Sequence, residues 1–178
     1  MERSVVIAGF GGQGVILAGK ILAQAGMDHG LEVTWLPSYG PEMRGGTANC
    51  TVVLSDEPVG SPIVDEPSAL IAMNRPSLDK FEQTIASGGA VVVNSSLVDR
   101  QASRDDLDAR YLPFNDLAES AGNPRTINMV ALGAYLKATG VIPLETAQAA
   151  MARMLEEGGK GRFVDANNRA LEEGYNAA

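Results

Sequence analysis

Gly9-Phe10-Gly11-Gly12-Gln13-Gly14 joins a short β-branched run, Ser4 to Ala8, to an apolar stripe at helical spacing, Val15 to Ala23. Glycines at a strand-to-helix junction let the chain turn sharply and bring backbone N–H groups close to a ligand. They also expose the positive end of the helix dipole. The chemistry this offers is anion binding, with a phosphate or pyrophosphate as the usual guest. The same glycines would also serve a tight turn that merely lets helix and sheet pack closely. A second unusual segment is Pro37-Ser38-Tyr39-Gly40-Pro41-Glu42-Met43-Arg44-Gly45-Gly46-Thr47. Arg44 can present a planar fork to a phosphate or carboxylate, and Gly45-Gly46 would let the backbone approach closely. Glu42 is its candidate ion partner, or a residue facing another chain. The plainer alternative is a solvated turn with a surface arginine.

Several chemistries lack their residues. A nicotinamide dinucleotide site wants an acid near the end of the second strand to hold a ribose hydroxyl. Leu36-Pro37-Ser38 stands there, and Glu32 lies at the wrong end. Gly14 is followed by Val15-Ile16 where a Walker loop needs Lys and Ser or Thr. His29 is the only histidine and Cys50 the only cysteine. No Ser–His–Asp set, internal disulfide, cysteine-built zinc site or Fe–S cluster can therefore come from this chain alone. Cys50, among apolar neighbours, reads as a buried small hydrophobe.

These residues need elements to hold them. The first strand is expected at Val5 to Ala8, with further strands at Glu32 to Leu36, Asn49 to Ser55, Ala69 to Met73, Ala90 to Asn94 and Arg110 to Pro113. Helices are expected at Val15 to Gly26, Leu78 to Ser87 and Asp116 to Ala121, then Thr126 to Thr139, Leu144 to Leu155 and Asp165 to Tyr175. Short apolar strands alternating with helices predict a three-layer α/β/α fold. Its sheet is Rossmann-like, mostly parallel but mixed, and the last helices gather at the C-terminal end. The strand at Asn49 follows its predecessor without a helix, so an antiparallel neighbour is expected there. Both glycine-bearing loops should then leave the carboxyl edge of the sheet, where ligands bind in open α/β folds. Gly133 is expected to let its helix approach the sheet. Asn128 reads as a first-turn residue that satisfies free amides.

A length of 178 residues suits one domain, 1–178, and the Pro-bearing stretch Asp56 to Pro67 reads as a surface connection. The net charge of −8 argues against a nucleic-acid scaffold. No apolar run suits a membrane span and no signal region is evident, so a cytoplasmic protein is expected.

The paired motifs Gly9-Phe10-Gly11-Gly12-Gln13-Gly14-Val15 and Tyr39-Gly40-Pro41-Glu42-Met43-Arg44-Gly45-Gly46 resemble the gamma subunit of 2-oxoacid:ferredoxin oxidoreductases. The resemblance runs on through Val52 to Ser55, Pro62 to Val64, Asn128 to Gly133 and Asn168 to Tyr175, and covers essentially the whole chain. It implies an assembly that decarboxylates a 2-oxoacid on thiamine diphosphate, reduces ferredoxin through Fe–S clusters, and passes the acyl group to coenzyme A. Asn167-Asn168 has no Gly-Asp-Gly upstream, so thiamine diphosphate, magnesium and the clusters are assigned to partners. Those partners are an alpha subunit, a thiamine-binding beta subunit and, in some assemblies, a ferredoxin-like delta subunit. The implied task of this chain is to bind coenzyme A and shape the active-site entrance. Gly9, Gly11, Gly12, Gln13, Gly14, Val15, Tyr39, Arg44, Gly45 and Gly46 are the candidate binding residues. Other readings of the rim are a free-standing nucleotide-binding or regulatory module and a small NAD(P)-dependent reductase. An isolated chain is expected to pair with itself where partners are missing.

Overall fold

The structure is a computed structural model, and it describes residues 1–39 and 46–178. Strand β1 (Glu2–Phe10) leads into helix α1 (Val15–Asp28), followed by β2 (Glu32–Tyr39), β3 (Thr47–Ser55) and β4 (Ala69–Ala72). Then come α2 (Arg75–Phe81), β5 (Ala90–Asn94), β6 (Asp108–Leu112) and α3 (Phe114–Ser120). The chain closes with α4 (Ile127–Thr139), α5 (Leu144–Glu157) and α6 (Val164–Ala177). The strands form one six-stranded sheet in the order β2-β3-β1-β4-β5-β6. β3 runs antiparallel to both of its neighbours, while β1, β4, β5 and β6 pair in parallel. The expected mixed sheet is therefore present.

β1 is longer than its apolar core because all nine residues pair with β3, from Glu2 opposite Ser55 to Phe10 opposite Thr47. The side chains alternate accordingly. Val5 and Ile7 join the large apolar core under α1, α3, α4, α5 and α6, whereas Val6 and Ala8 join a smaller one under α2. The two helical layers are thus unequal.

Several element boundaries differ from expectation, and those of α2 and α3 have side-chain causes. α2 starts at Arg75, three residues before Leu78, because Asn74 Oδ1 accepts from Ser77 N at 3.0 Å and Pro76 sits in the first turn. It ends at Phe81 and passes into a 3₁₀ turn, Glu82–Thr84, where a helix to Ser87 is expected. α3 starts at Phe114, whose N–H donates to Asn94 Oδ1 at 3.1 Å. Gly133 serves a different neighbour from the one expected. A Cβ there would run into the backbone of Leu171, and one at Gly174 would run into Val130 O, so the two glycines let α4 and α6 cross in backbone contact. The stretch from Asp56 to Pro67 carries no helix or strand and exposes Ile63, as expected of a surface connection. No helix among the described residues is long and apolar enough to cross a membrane.

Candidate functional site

β1 and β2 both run opposite to β3, so the loops that follow them emerge at one rim. They meet there: Gly11 N donates to Gly46 O at 2.9 Å. This is the juxtaposition expected from the sequence. The turn between β1 and α1 is closed by its own groups. Gln13 N donates to Phe10 O at 3.1 Å, and Phe10 N donates to Gln13 Oε1 at 2.7 Å. Asn74 Nδ2 adds a second donor to Gln13 Oε1 at 3.2 Å.

The amides of Phe10, Gly11 and Gln13 are therefore spent inside the protein. Those of the first turn of α1 are not spent within the helix, because an α-helix leaves its first four N–H groups without an intrahelical acceptor. Gly14 caps α1 at φ 75°, offers no side chain, and is followed by no acid in the first turn. A residue with a Cβ at Gly14 would be strained by that backbone and would also press on the Asn128 carboxamide. Among the described residues no side chain caps the positive end of α1.

Asn128 is buried at 5% exposure in the first turn of α4. Its Nδ2 donates to Gly14 O at 3.2 Å, and its Oδ1 accepts from Met129 N at 3.1 Å. The residue thus satisfies an amide, as expected, and also ties α4 to the glycine turn. Beside this junction lies a groove of about 440 Å³ whose lining includes Gly12, Gly14, Leu17, Arg125, Lys160 and Phe163. Asn123, Asn128 and Asn167 add amide groups, and among the described residues no aspartate or glutamate lines it. Arg125 comes from the 3₁₀ turn Pro124–Thr126 before α4, and Phe163 from the turn Gly161–Phe163 before α6.

The ten candidate residues divide by position. Gly12 and Gly14 line the groove. Gly11, Gln13 and Gly46 build the rim through the bonds above. Gly9 and Val15 are packing positions: a Cβ at Gly9 would lie 2.6 Å from Gln13 Oε1 and 2.8 Å from Met73 Cβ, and Val15 is 2% exposed. Tyr39 ends β2. Arg44 and Gly45 lie outside the described residues. The sequence does not reveal Arg125, Lys160 and Phe163 as site residues, because only the packing of α4 and α5 against α1, and of α6 against α4, carries them to the rim. A signal did exist. Asn123-Pro124-Arg125 is a capped turn, with Asn123 Oδ1 accepting from Arg125 N at 3.0 Å.

Cys50 is fully buried, with its thiol 3.6 Å from Val15 O, and burial pushes its pKa up to about 12. It packs and is not a nucleophile. Among the described residues no group of three or more His, Cys, Asp or Glu gathers to hold a metal.

The model of the pyruvate ferredoxin/flavodoxin oxidoreductase family matches residues 4–177. Ketoisovalerate oxidoreductase subunit VorA of Methanothermobacter thermautotrophicus is 42% identical over 97% of this chain and 36% of its own length. The chain thus spans only about a third of that relative. 2-Oxoglutarate synthase subunit KorC of Methanocaldococcus jannaschii is 34% identical over 100% of this chain and 95% of KorC. The crystal structure of the gamma subunit of a keto/oxoacid ferredoxin oxidoreductase from Geobacter sulfurreducens superimposes with a TM-score of 0.87 at 31% identity. That match covers 99% of this chain and 96% of the other. A 2-oxoglutarate:ferredoxin oxidoreductase from Magnetococcus marinus, solved with 2-oxoglutarate, coenzyme A and succinyl-CoA bound, gives a TM-score of 0.88 at 26% identity. It covers 99% of this chain and 31% of that one.

Proposed function

Because the chain belongs to the pyruvate ferredoxin/flavodoxin oxidoreductase family, we propose that it is the gamma component of a 2-oxoacid:ferredoxin oxidoreductase. The assembly converts a 2-oxoacid and coenzyme A to an acyl-CoA and CO2, and ferredoxin takes the two electrons. This chain holds coenzyme A at the glycine rim and shapes the approach to the reacting centre. The observation that carries the reading is the groove of about 440 Å³, where two cations and an uncapped helix end meet with no carboxylate among the described lining residues. In a chain of net charge −8, such a place suits a ligand rich in phosphate.

A single buried cysteine cannot supply the thiolates of a cluster. Thiamine diphosphate with magnesium, and the Fe–S clusters, belong in this proposal to alpha and beta partners, with a ferredoxin-like delta subunit where one is present. Decarboxylation and electron transfer are their chemistry. What the gamma chain does is electrostatic and geometric. The first-turn amides of α1 face the ligand's negative charge, Asn128 fixes the position of the glycine turn that presents them, and Gln13 keeps the turn closed. Arg44, from its sequence context, adds a fork to a phosphate or to an interface carboxylate. A cytoplasmic setting is part of the same proposal.

A tagged copy of the chain expressed in its native cell should bring down a thiamine-diphosphate-binding polypeptide and a cluster-bearing one. In the assembled enzyme, Gly14→Ala should raise the KM for coenzyme A severalfold with little change in the KM for the 2-oxoacid, and Arg44→Ala should do so to a lesser degree. A chain that elutes alone from its native cell, or an assembled Gly14→Ala enzyme with an unchanged KM for coenzyme A, would overturn the proposal.

A further inference from the structure

A second polar cavity lies at the end of the sheet opposite the glycine rim. Arg3 stands near the start of β1, Ser68 just before β4 and Asp108 at the start of β6. With Tyr135 and Thr139 from the second half of α4, they line a space of about 170 Å³. Its walls are fixed by backbone bonds. Ser68 Oγ donates to Ser4 O at 2.9 Å and accepts from Ser4 N at 2.9 Å, and Asp108 N donates to Gly89 O at 3.0 Å. Tyr135 is 1% exposed, and burial pushes its phenol well above the ordinary 10, so the hydroxyl stays protonated and can donate. Thr139 and the positive charge of Arg3 oppose that rise, which places the guanidinium within electrostatic reach of the phenol. Arg3 belongs to none of the ion pairs among the described residues. Asp108 meets Arg110 at 3.3 Å with its side chain 54% exposed, a pairing of little worth in water. Two opposite charges thus line one small cavity without meeting each other. α4 ends here at Thr139, so the carbonyls of its last turn bring the negative end of the helix dipole to the same place.

We propose that this cavity binds a small zwitterion, an α-amino acid, with its carboxylate between Arg3 and the Tyr135 hydroxyl and its ammonium toward Asp108 and the last turn of α4. A guanidinium and a phenol are both donors, and a carboxylate is the acceptor that both can serve. A simple anion would gain from Arg3 but meet repulsion from Asp108 and the helix end. A simple cation would gain from those and meet repulsion from Arg3. A molecule carrying both charges satisfies each wall at once. Size points the same way. A space of about 170 Å³ is smaller than the ~300 Å³ at which pockets for drug-sized ligands begin, so it suits a small amino acid and excludes a nucleotide. The site is separate from the groove beside α1, and it stands or falls without the coenzyme A reading.

The probe is L-alanine, titrated calorimetrically into the full chain, with propionate and ethylamine as controls that each lack one of its charges. L-Alanine should fill a single site, and each control should bind about tenfold more weakly or worse, the loss expected for one charge-assisted contact. Arg3 and Asp108 are exposed, so Arg3→Gln and Asp108→Asn should keep the wild-type melt. Each should weaken L-alanine about tenfold. Tyr135→Phe keeps the ring and should weaken it severalfold. The charge variants should also change preference in opposite directions. Arg3→Gln should bind ethylamine at least as well as the wild type does, and Asp108→Asn should do the same for propionate, which a general loss of structure would not produce. No binding of L-alanine at millimolar concentration would overturn the proposal. So would propionate or ethylamine binding as tightly as L-alanine, or an affinity for L-alanine that both charge variants leave unchanged.

Discussion

The loop over α2 and the groove beside α1 use their cations in opposite ways. Over the thinner face, Arg100 reaches from the loop after β5 to Glu82 and Asp79, while Arg104 clasps Asp106 and donates to the carbonyls of Glu82 and Ile85. The Glu82 side chain is 7% exposed and also accepts from Ser103 N at 3.0 Å and from Ser103 Oγ at 3.1 Å. These charges hold a long loop over the small core of Leu78, Ile85 and Val98. On the thicker face, Arg125 and Lys160 meet no carboxylate among the described residues and border open space. A cation that is fully partnered serves the fold. One held beside a groove without a partner is available to a ligand.

Replacing Arg100 should produce the largest loss of stability. Arg100→Ala leaves the buried Glu82 carboxylate without its two-point partner, bonds of 3.2 and 3.0 Å. Removing one member of a buried pair costs more than the pair contributes, because the survivor remains desolvated. A loss of about 2–3 kcal/mol is expected, the two Ser103 bonds keeping it below the full figure for an isolated charge. At this chain length that lowers Tm by about 4–12 °C. The double change Arg100→Met, Glu82→Leu should cost less than Arg100→Ala alone. A melt of Arg100→Ala indistinguishable from wild type would show that the thin-face charges do not hold the fold.

Asn128 stands between the two regimes, since it is buried like Glu82 and sits beside the groove like Arg125. Asn128→Ala should cost about 1–2 kcal/mol, for a Gly14 carbonyl and a Met129 amide left without their side-chain partner. It should also weaken coenzyme A binding, because the glycine turn loses its tether. Asn128→Asp is the sharper variant. It keeps the acceptor for Met129 N, loses the donor to Gly14 O and brings negative charge to the site, so binding should fall further than stability. Equal losses of both quantities would make Asn128 a packing residue only.

Much of this arrangement was legible in the sequence. The short β-branched strands and the two glycine loops led to a mixed sheet with both loops on one rim, because strand polarity follows from the order of elements. The elements held by side-chain caps were placed less well. Asn74 and Asn94 bond backbone across a turn, and such bonds move a helix start by several residues without altering the apolar pattern that reveals the helix. The groove was hidden for a different reason. Gly12, Arg125 and Lys160 are far apart in the chain, and what joins them is the packing of α4 on α6 through Gly133 and Gly174. Neither glycine announces its partner in the sequence.

The smallest effect should come from acid, and it distinguishes the loop over α2 from the groove in a single titration. Burial by itself pushes the Glu82 carboxyl up, but the bonds from Arg100 and from the Ser103 amide and hydroxyl outweigh it and hold the pKa below the ordinary 4.5. A carboxyl depressed on folding contributes stability above its unfolded value, and that contribution fades as pH falls through the folded value. Asp106, held at about 2 first by its bond from Arg104, has the same sign, though it is too exposed for its shift to carry much stability. Stability should therefore decline below about pH 4.5, and Glu82→Gln should remove part of that decline while lowering stability at neutral pH. The double variant Arg125→Gln, Lys160→Gln should keep the wild-type acid slope, because no carboxylate among the described residues lines its groove, and should leave stability at neutral pH within about 0.5 kcal/mol of wild type. An acid slope that follows the groove variants and ignores Glu82→Gln would reverse the roles assigned to the two regions.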